Sequence, residues 1–169
     1  RKVKYQVTET VMAASMLAQN DALTTGQLQP ITRRALDRIW TVQREDGGFD
    51  WMKYNQPPSE MDDHYGATVA VIGVGAAPDG YTETPAAKAG LAKIREYFKN
   101  NPPANLHHRA MKLLGSLNVD GIMTESERRK VVRDLFALQK PDGGWGLPTM
   151  GQNWERSDDK EQDRKSSDG

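Results

Sequence analysis

The chain has 169 residues, with 23 basic and 23 acidic side chains, zero formal charge and no cysteine. That length allows one domain with a sizeable core, or a piece of something larger. Balanced, interspersed charge leaves no footprint for nucleic acid and no polybasic membrane patch, and the missing thiols exclude disulfides and thiolate-bound zinc within this segment.

Apolar residues recur at helical spacing almost throughout, and no window alternates with period two. A first helix is predicted over Val3 to Gln19, with Val7, Val11, Met12, Ala14, Met16 and Leu17 as its apolar set. A second begins at Pro30, a favoured first helical position, and carries Ile31, Ala35, Leu36, Ile39 and Trp40 on one face. The third starts near Ser59 and runs to Pro78, apolar nearly all round after His64. Thr84-Pro85 opens a fourth, which Pro102 and Pro103 end. A fifth spans Asn105 to Asn118. The sixth opens on Thr124-Glu-Ser-Glu127, a capping box, and carries Val131, Val132, Leu135, Phe136 and Leu138. Six helices and no strand make an all-α chain.

The second, fourth and sixth helices are amphipathic and suit a layer that meets water, whereas the third suits a helix covered on both sides. Helix pair following helix pair in two concentric layers is a repeat architecture. Residues 1–154 read as the repeat domain. The polar residues 155–169 read as a linker toward a missing next repeat, so that the chain from Arg1 to Gly169 is expected to be an excised segment. No apolar run approaches the roughly 20 residues of a membrane helix, which leaves peripheral contact as the one membrane association still open.

One stretch is written twice. RRALDRIWTVQREDGGFDW from Arg33 and RKVVRDLFALQKPDGGWGL from Arg129 stand 96 residues apart. Gln43, Asp46, Gly47 and Gly48 recur as Gln139, Asp142, Gly143 and Gly144, and Phe49 as Trp145. A degenerate middle copy places Leu91, Ile94 and Phe98 before Asn-Asn-Pro-Pro. Glycines permit a left-handed reversal, Asp can bond backbone within it, and the Gln amide can tie its own helix end to a neighbour. Nothing in this set can attack or protonate a substrate, so a structural staple is expected. Gln-x-x-Asp-Gly-Gly-Trp at the end of an outer helix resembles the QW repeat of squalene-hopene cyclases, which share an α/α toroid with protein prenyltransferase β-subunits. The resemblance spans roughly Arg33 to Trp145 and implies a partial α/α toroid of about three helical pairs.

That family protonates its substrate with Asp-x-Asp-Asp at the start of an inner helix, and this chain offers Glu60-Met61-Asp62-Asp63 followed by His64-Tyr65. By resemblance, Asp62 matches the proton donor, Glu60 and Asp63 its carboxylate companions, while His64 could tune a carboxylate and Tyr65 could face a cationic substrate. Clustered carboxylates cannot all ionise, so one could hold a proton. Capping is the alternative: Ser59-x-x-Asp62 is itself a capping box, and acids are favoured in a first helical turn. The tryptophans Trp40, Trp51, Trp145 and Trp154 are expected at outer-helix and turn positions, leaving few aromatics for a lumen. His107-His108 reads as a solvated helix entry, with no metal site. Cyclase chemistry of this kind implies no metal and no organic cofactor, with a hydrophobic isoprenoid as substrate or the missing repeats as partner. The other reading is a non-catalytic toroid that binds a ligand or protein on its concave face.

Overall fold

The computed structural model describes residues 4–53 and 62–151, with side chains from Gln6 onward. Among these residues the chain is all-helical, with no strand. Helix α1 covers Lys4–Thr24, α2 Pro30–Val42, α3 Asp63–Ala76, α4 Pro85–Asn100, α5 Leu106–Gly115 and α6 Glu125–Ala137, and the short α7 is Leu147–Met150. A 3-10 turn, Tyr81–Glu83, precedes α4.

Where a start signal is local, the helix begins where the sequence predicts. Pro30 opens α2, Thr84 caps α4 through the Ala87 N–H, and Thr124 and Glu127 form a reciprocal capping box on α6. Three boundaries differ. First, α1 runs five residues past Gln19, to Thr24. Asp21 is buried inside that extra turn, where its carboxylate accepts the Gln29 N–H at 2.8 Å and fastens α1 to the entry of α2. The helix stops only at Gly26, which adopts φ +64 and donates its N–H to the Asp21 carbonyl. Second, α3 starts at Asp63, because Asp62 is extended at φ −158, ψ 170 and caps the helix from outside it. The Ser59 end of the expected box lies outside the described residues. Third, α5 ends at Gly115, before Asn118.

Burial sorts the helices into layers. Helix α1 packs along α3 and α3 along α5, forming one row; α2 lies on α1 and touches α4, and α6 lies on α5. The row is tight: a Cβ on Gly73 of α3 would meet the Ser15 Cα of α1 at 2.5 Å. As expected for a helix covered on both sides, α3 buries His64, Gly66, Ala67, Thr68, Ala70, Val71, Gly73 and Val74. The face of α1 differs from the expected one. Val7, Val11, Ala14 and Ala18 are buried, whereas Met12 and Met16 are 44% and 65% exposed. Small residues point at the neighbouring helices because close approach requires them, and the methionines are displaced outward. Ile31 of α2 is likewise exposed.

Candidate functional site at the start of the inner helices

Both copies of the repeated stretch form the same turn. In the first, Arg44 N–H donates to the Gly48 carbonyl, Gly47 N–H to the Arg44 carbonyl, and Gly48 N–H to Asp46 Oδ1 at 2.9 Å. In the second, Lys140, Gly143 and Gly144 repeat those donors, the last to Asp142 Oδ1 at 2.9 Å. Gln43 Nε2 donates to the Gly47 carbonyl at 3.1 Å and, on α4, to the Gly90 carbonyl at 3.0 Å. Phe49 and Trp51 then run inward to full burial, and Trp51 lies against Gly66 of α3. Trp51 is therefore a core residue between the layers. Trp154 and Glu60 lie outside the described residues.

The turn delivers Arg44 to the start of α3. Its guanidinium bonds Asp46, Asp50 and Asp63, the last at 2.6 Å. Lys53 pairs with the other Asp63 oxygen at 3.0 Å, and the Trp51 N–H donates to it at 3.2 Å. Burial alone would raise the Asp63 pKa, but the hydrogen bonds from Arg44, Lys53 and Trp51 outweigh it and hold the carboxyl below its ordinary value. Asp63 is thus ionised at neutral pH. It orients the entry of α3 and has no proton to share with Asp62.

Asp62 stands on the other side of that entry. One oxygen accepts the Tyr65 N–H at 3.0 Å, and the other faces His108 Nδ1 on α5 at 3.4 Å. Asn105 caps α5 in the same way, accepting the His108 N–H at 2.9 Å, so two inner helices begin side by side with equivalent caps. His108 is 1% exposed, in contrast to the solvated entry expected from sequence. The expected His64–carboxylate bond does not form among the described residues. Instead the His64 ring stacks on His108 at 5.7 Å and 9°, and packs on Phe98 at 4.9 Å. Among the described residues both His64 ring nitrogens are buried without a hydrogen-bond partner, and burial, with the nearby charge of His108 and Lys112, lowers its pKa to about 3. His64 is therefore a neutral core ring. Tyr65 stacks on His107 at 6.1 Å and 12°, placing two half-buried rings beside the Asp62–His108 pair.

Among the described residues no group of three or more His, Asp or Glu could hold a metal ion. Chemically the site offers one carboxyl, held by an N–H donor and facing a buried imidazole, beside the half-buried rings of Tyr65 and His107. Sequence reasoning placed Asp62 at a helix entry but missed His108. The signal was present: Asp62-x-x-Tyr65 and Asn105-x-x-His108 are the same cap-to-third-residue spacing on successive inner helices. No family model, curated protein or solved structure matches the chain.

Proposed function

We propose that the chain is a segment of an α/α toroid of the squalene-hopene-cyclase and prenyltransferase type, and that Asp62 is the acid that starts cyclisation of an isoprenoid. The observation that carries this reading is the Asp62–His108 pair, 3.4 Å apart across the inner helices. A protonated Asp62 would give its proton to a terminal alkene carbon, leaving a carboxylate and a carbocation. The Tyr65 N–H and the His108 imidazole both bond a carboxylate better than a carboxylic acid. Their help therefore grows as charge develops on Asp62, which lowers the barrier rather than merely binding substrate. His108 is a positioning residue in this scheme, and the ring of Tyr65 offers a face to the cation.

A second reading is favoured by one specific observation: Asp62 already caps α3, and an N-cap carboxylate is favoured in its ionised form. On that reading the toroid is a binding module without chemistry. The deciding experiment incubates the protein with squalene and a panel of prenyl diphosphates and detects products by mass spectrometry. Cyclised products are expected from the wild type, none from Asp62→Asn, and about a hundredfold less from His108→Phe. Asn keeps the cap, so folding is retained. Products that survive Asp62→Asn would place the acid elsewhere, and a folded wild type that gives none would leave the binding module.

A further inference from the structure

Lys112 of α5 is only 8% exposed, yet among the described residues its amine makes no hydrogen bond or ion pair; it lies over the Phe98 ring, 4.8 Å from the centroid. A ring face compensates a buried ammonium far less than a carboxylate does. Burial accordingly lowers the Lys112 pKa, against a smaller opposing pull from Glu127. The amine borders a cavity of about 410 Å³, whose lining includes Arg95, Phe98, Lys99, Ile122 and Glu127. Three cations thus meet one carboxylate. Glu127 Oε2 is tied into the α6 cap, accepting the Thr124 N–H at 2.6 Å and its hydroxyl at 2.8 Å, and its charge acts on Lys112 without a direct bond. Lys99 is answered by Glu96, whereas Arg95 bonds only the Asp120 carbonyl, at 2.9 Å, and has no carboxylate partner among the described residues.

We infer that this cavity, between α4, α5 and the start of α6, binds a small molecule with an oxyanion head, a phosphoryl or carboxylate group, seated between Lys112 and Arg95. Phe98 and Ile122 offer its body an apolar wall. The ammonium supplies three N–H donors and the guanidinium a planar fork, the donor set that oxyanions prefer. A buried ammonium with no directly bonded carboxylate is costly, and an anion seated against it lowers the cost. The inference is independent of any role for Asp62, which lies at the entry of α3. The two places still share a wall, because Phe98 carries His64 as well as the Lys112 amine.

The test titrates the folded protein with n-butyl phosphate and with hexanoate at constant ionic strength, by calorimetry. Histidine ring protons are followed by NMR in parallel. Saturable binding is expected, weakened about tenfold in Lys112→Met, as loss of one charge-assisted bond implies. Met keeps an unbranched side chain over Phe98, and because it removes a costly buried charge the melting temperature should be unchanged or raised, which confirms that the variant is folded. Arg95→Gln should weaken binding severalfold. The His64 resonances of the wild type should move on saturation, because an anion offsets the Lys112 charge that bears on that ring. Vesicles containing phosphatidic acid form a separate arm: binding there alone, lost in Lys112→Met, identifies a lipid headgroup, and binding of the soluble probes identifies a free ligand. An absence of saturable binding in every arm, or affinities untouched by Lys112→Met, would overturn the inference.

Discussion

Gly47 and Gly143 hold the same place in the repeated stretch and nearly the same backbone, φ +90 and +84. Their surroundings are opposite. A Cβ on Gly47 would stand 2.1 Å from the Lys93 carbonyl oxygen of α4, whereas a Cβ on Gly143 would meet nothing within 4 Å. Gly143→Ala therefore carries only the conformational cost of a side chain at positive φ, about 1–2 kcal/mol. Gly47→Ala adds a backbone clash that no rotamer relieves, and forced repacking of this kind costs about 1–3 kcal/mol more. Urea unfolding of the two variants measures the difference directly. Equal losses would mean that the first turn does not rest on α4. The same pairing explains why the sequence could supply the turn but not its load: the Asp-Gly-Gly bonding is local to five residues, while the carbonyl that Gly47 accommodates comes from a helix forty-odd positions later in the chain.

Between elements, the contrast extends along the whole outer helix. Gln43 joins the end of α2 to the Gly90 carbonyl of α4, and Gly90 also admits the Trp40 ring, which a Cβ there would meet at 2.1 Å. Trp40 Nε1 in turn donates to the Tyr81 hydroxyl at 3.0 Å, and that hydroxyl donates to Asp37 at 2.9 Å. Among the described residues the counterparts on and after α6 have no such cover: Val132, Phe136, Leu138 and Trp145 are exposed, and Gln139 donates only to the Gly143 carbonyl. Gln43→Ala removes the bond between α2 and α4, while the Gly90 carbonyl keeps its place inside α4, and should cost about 0.5–1.5 kcal/mol. Gln139→Ala should stay within about 0.5 kcal/mol, as exposed surface changes do. Equal melting-temperature shifts for the pair would show that the interhelical bond contributes nothing. Helix starts were legible because Pro30, Thr84-Pro85 and the Thr124 box act within one turn of themselves. The end of α1 and the start of α3 were not. Asp21 looks like an ordinary surface acid until the Gln29 N–H comes to meet it; Asp62 was legible as a helix-entry acid, but the sequence placed it inside the helix rather than at its cap and did not show that His108 would face it.

At the scale of the whole molecule, the inner row converges on a buried neutral imidazole, and this fixes how the fold responds to acid. The folded-state pKa of His64 is about 3, against 6.5 as its ordinary value, chiefly because burial penalises the charged ring. Between those values the unfolded chain binds a proton that the native ring refuses. Stability from His64 is therefore complete above about pH 6.5 and is lost progressively as pH falls toward 3, by about 1.4 kcal/mol per pH unit for one such proton. His107, also lowered by burial, acts in the same direction from the same upper limit. The carboxylates follow later. Asp63, Asp46 and Glu127 are all held below their ordinary values, so their contributions are present above about pH 4 and disappear only as pH falls further through the folded pKa. The two windows separate the groups. In His64→Phe, which preserves an aromatic ring between His108 and Phe98, the stability lost between pH 6.5 and 4.5 should shrink by roughly half or more, while the steeper loss below pH 4 remains. Chemical denaturation at half-unit pH intervals gives both slopes. If the upper slope is the same in the variant as in the wild type, His64 is not the proton-refusing group, and the acid response must be sought at His107 instead.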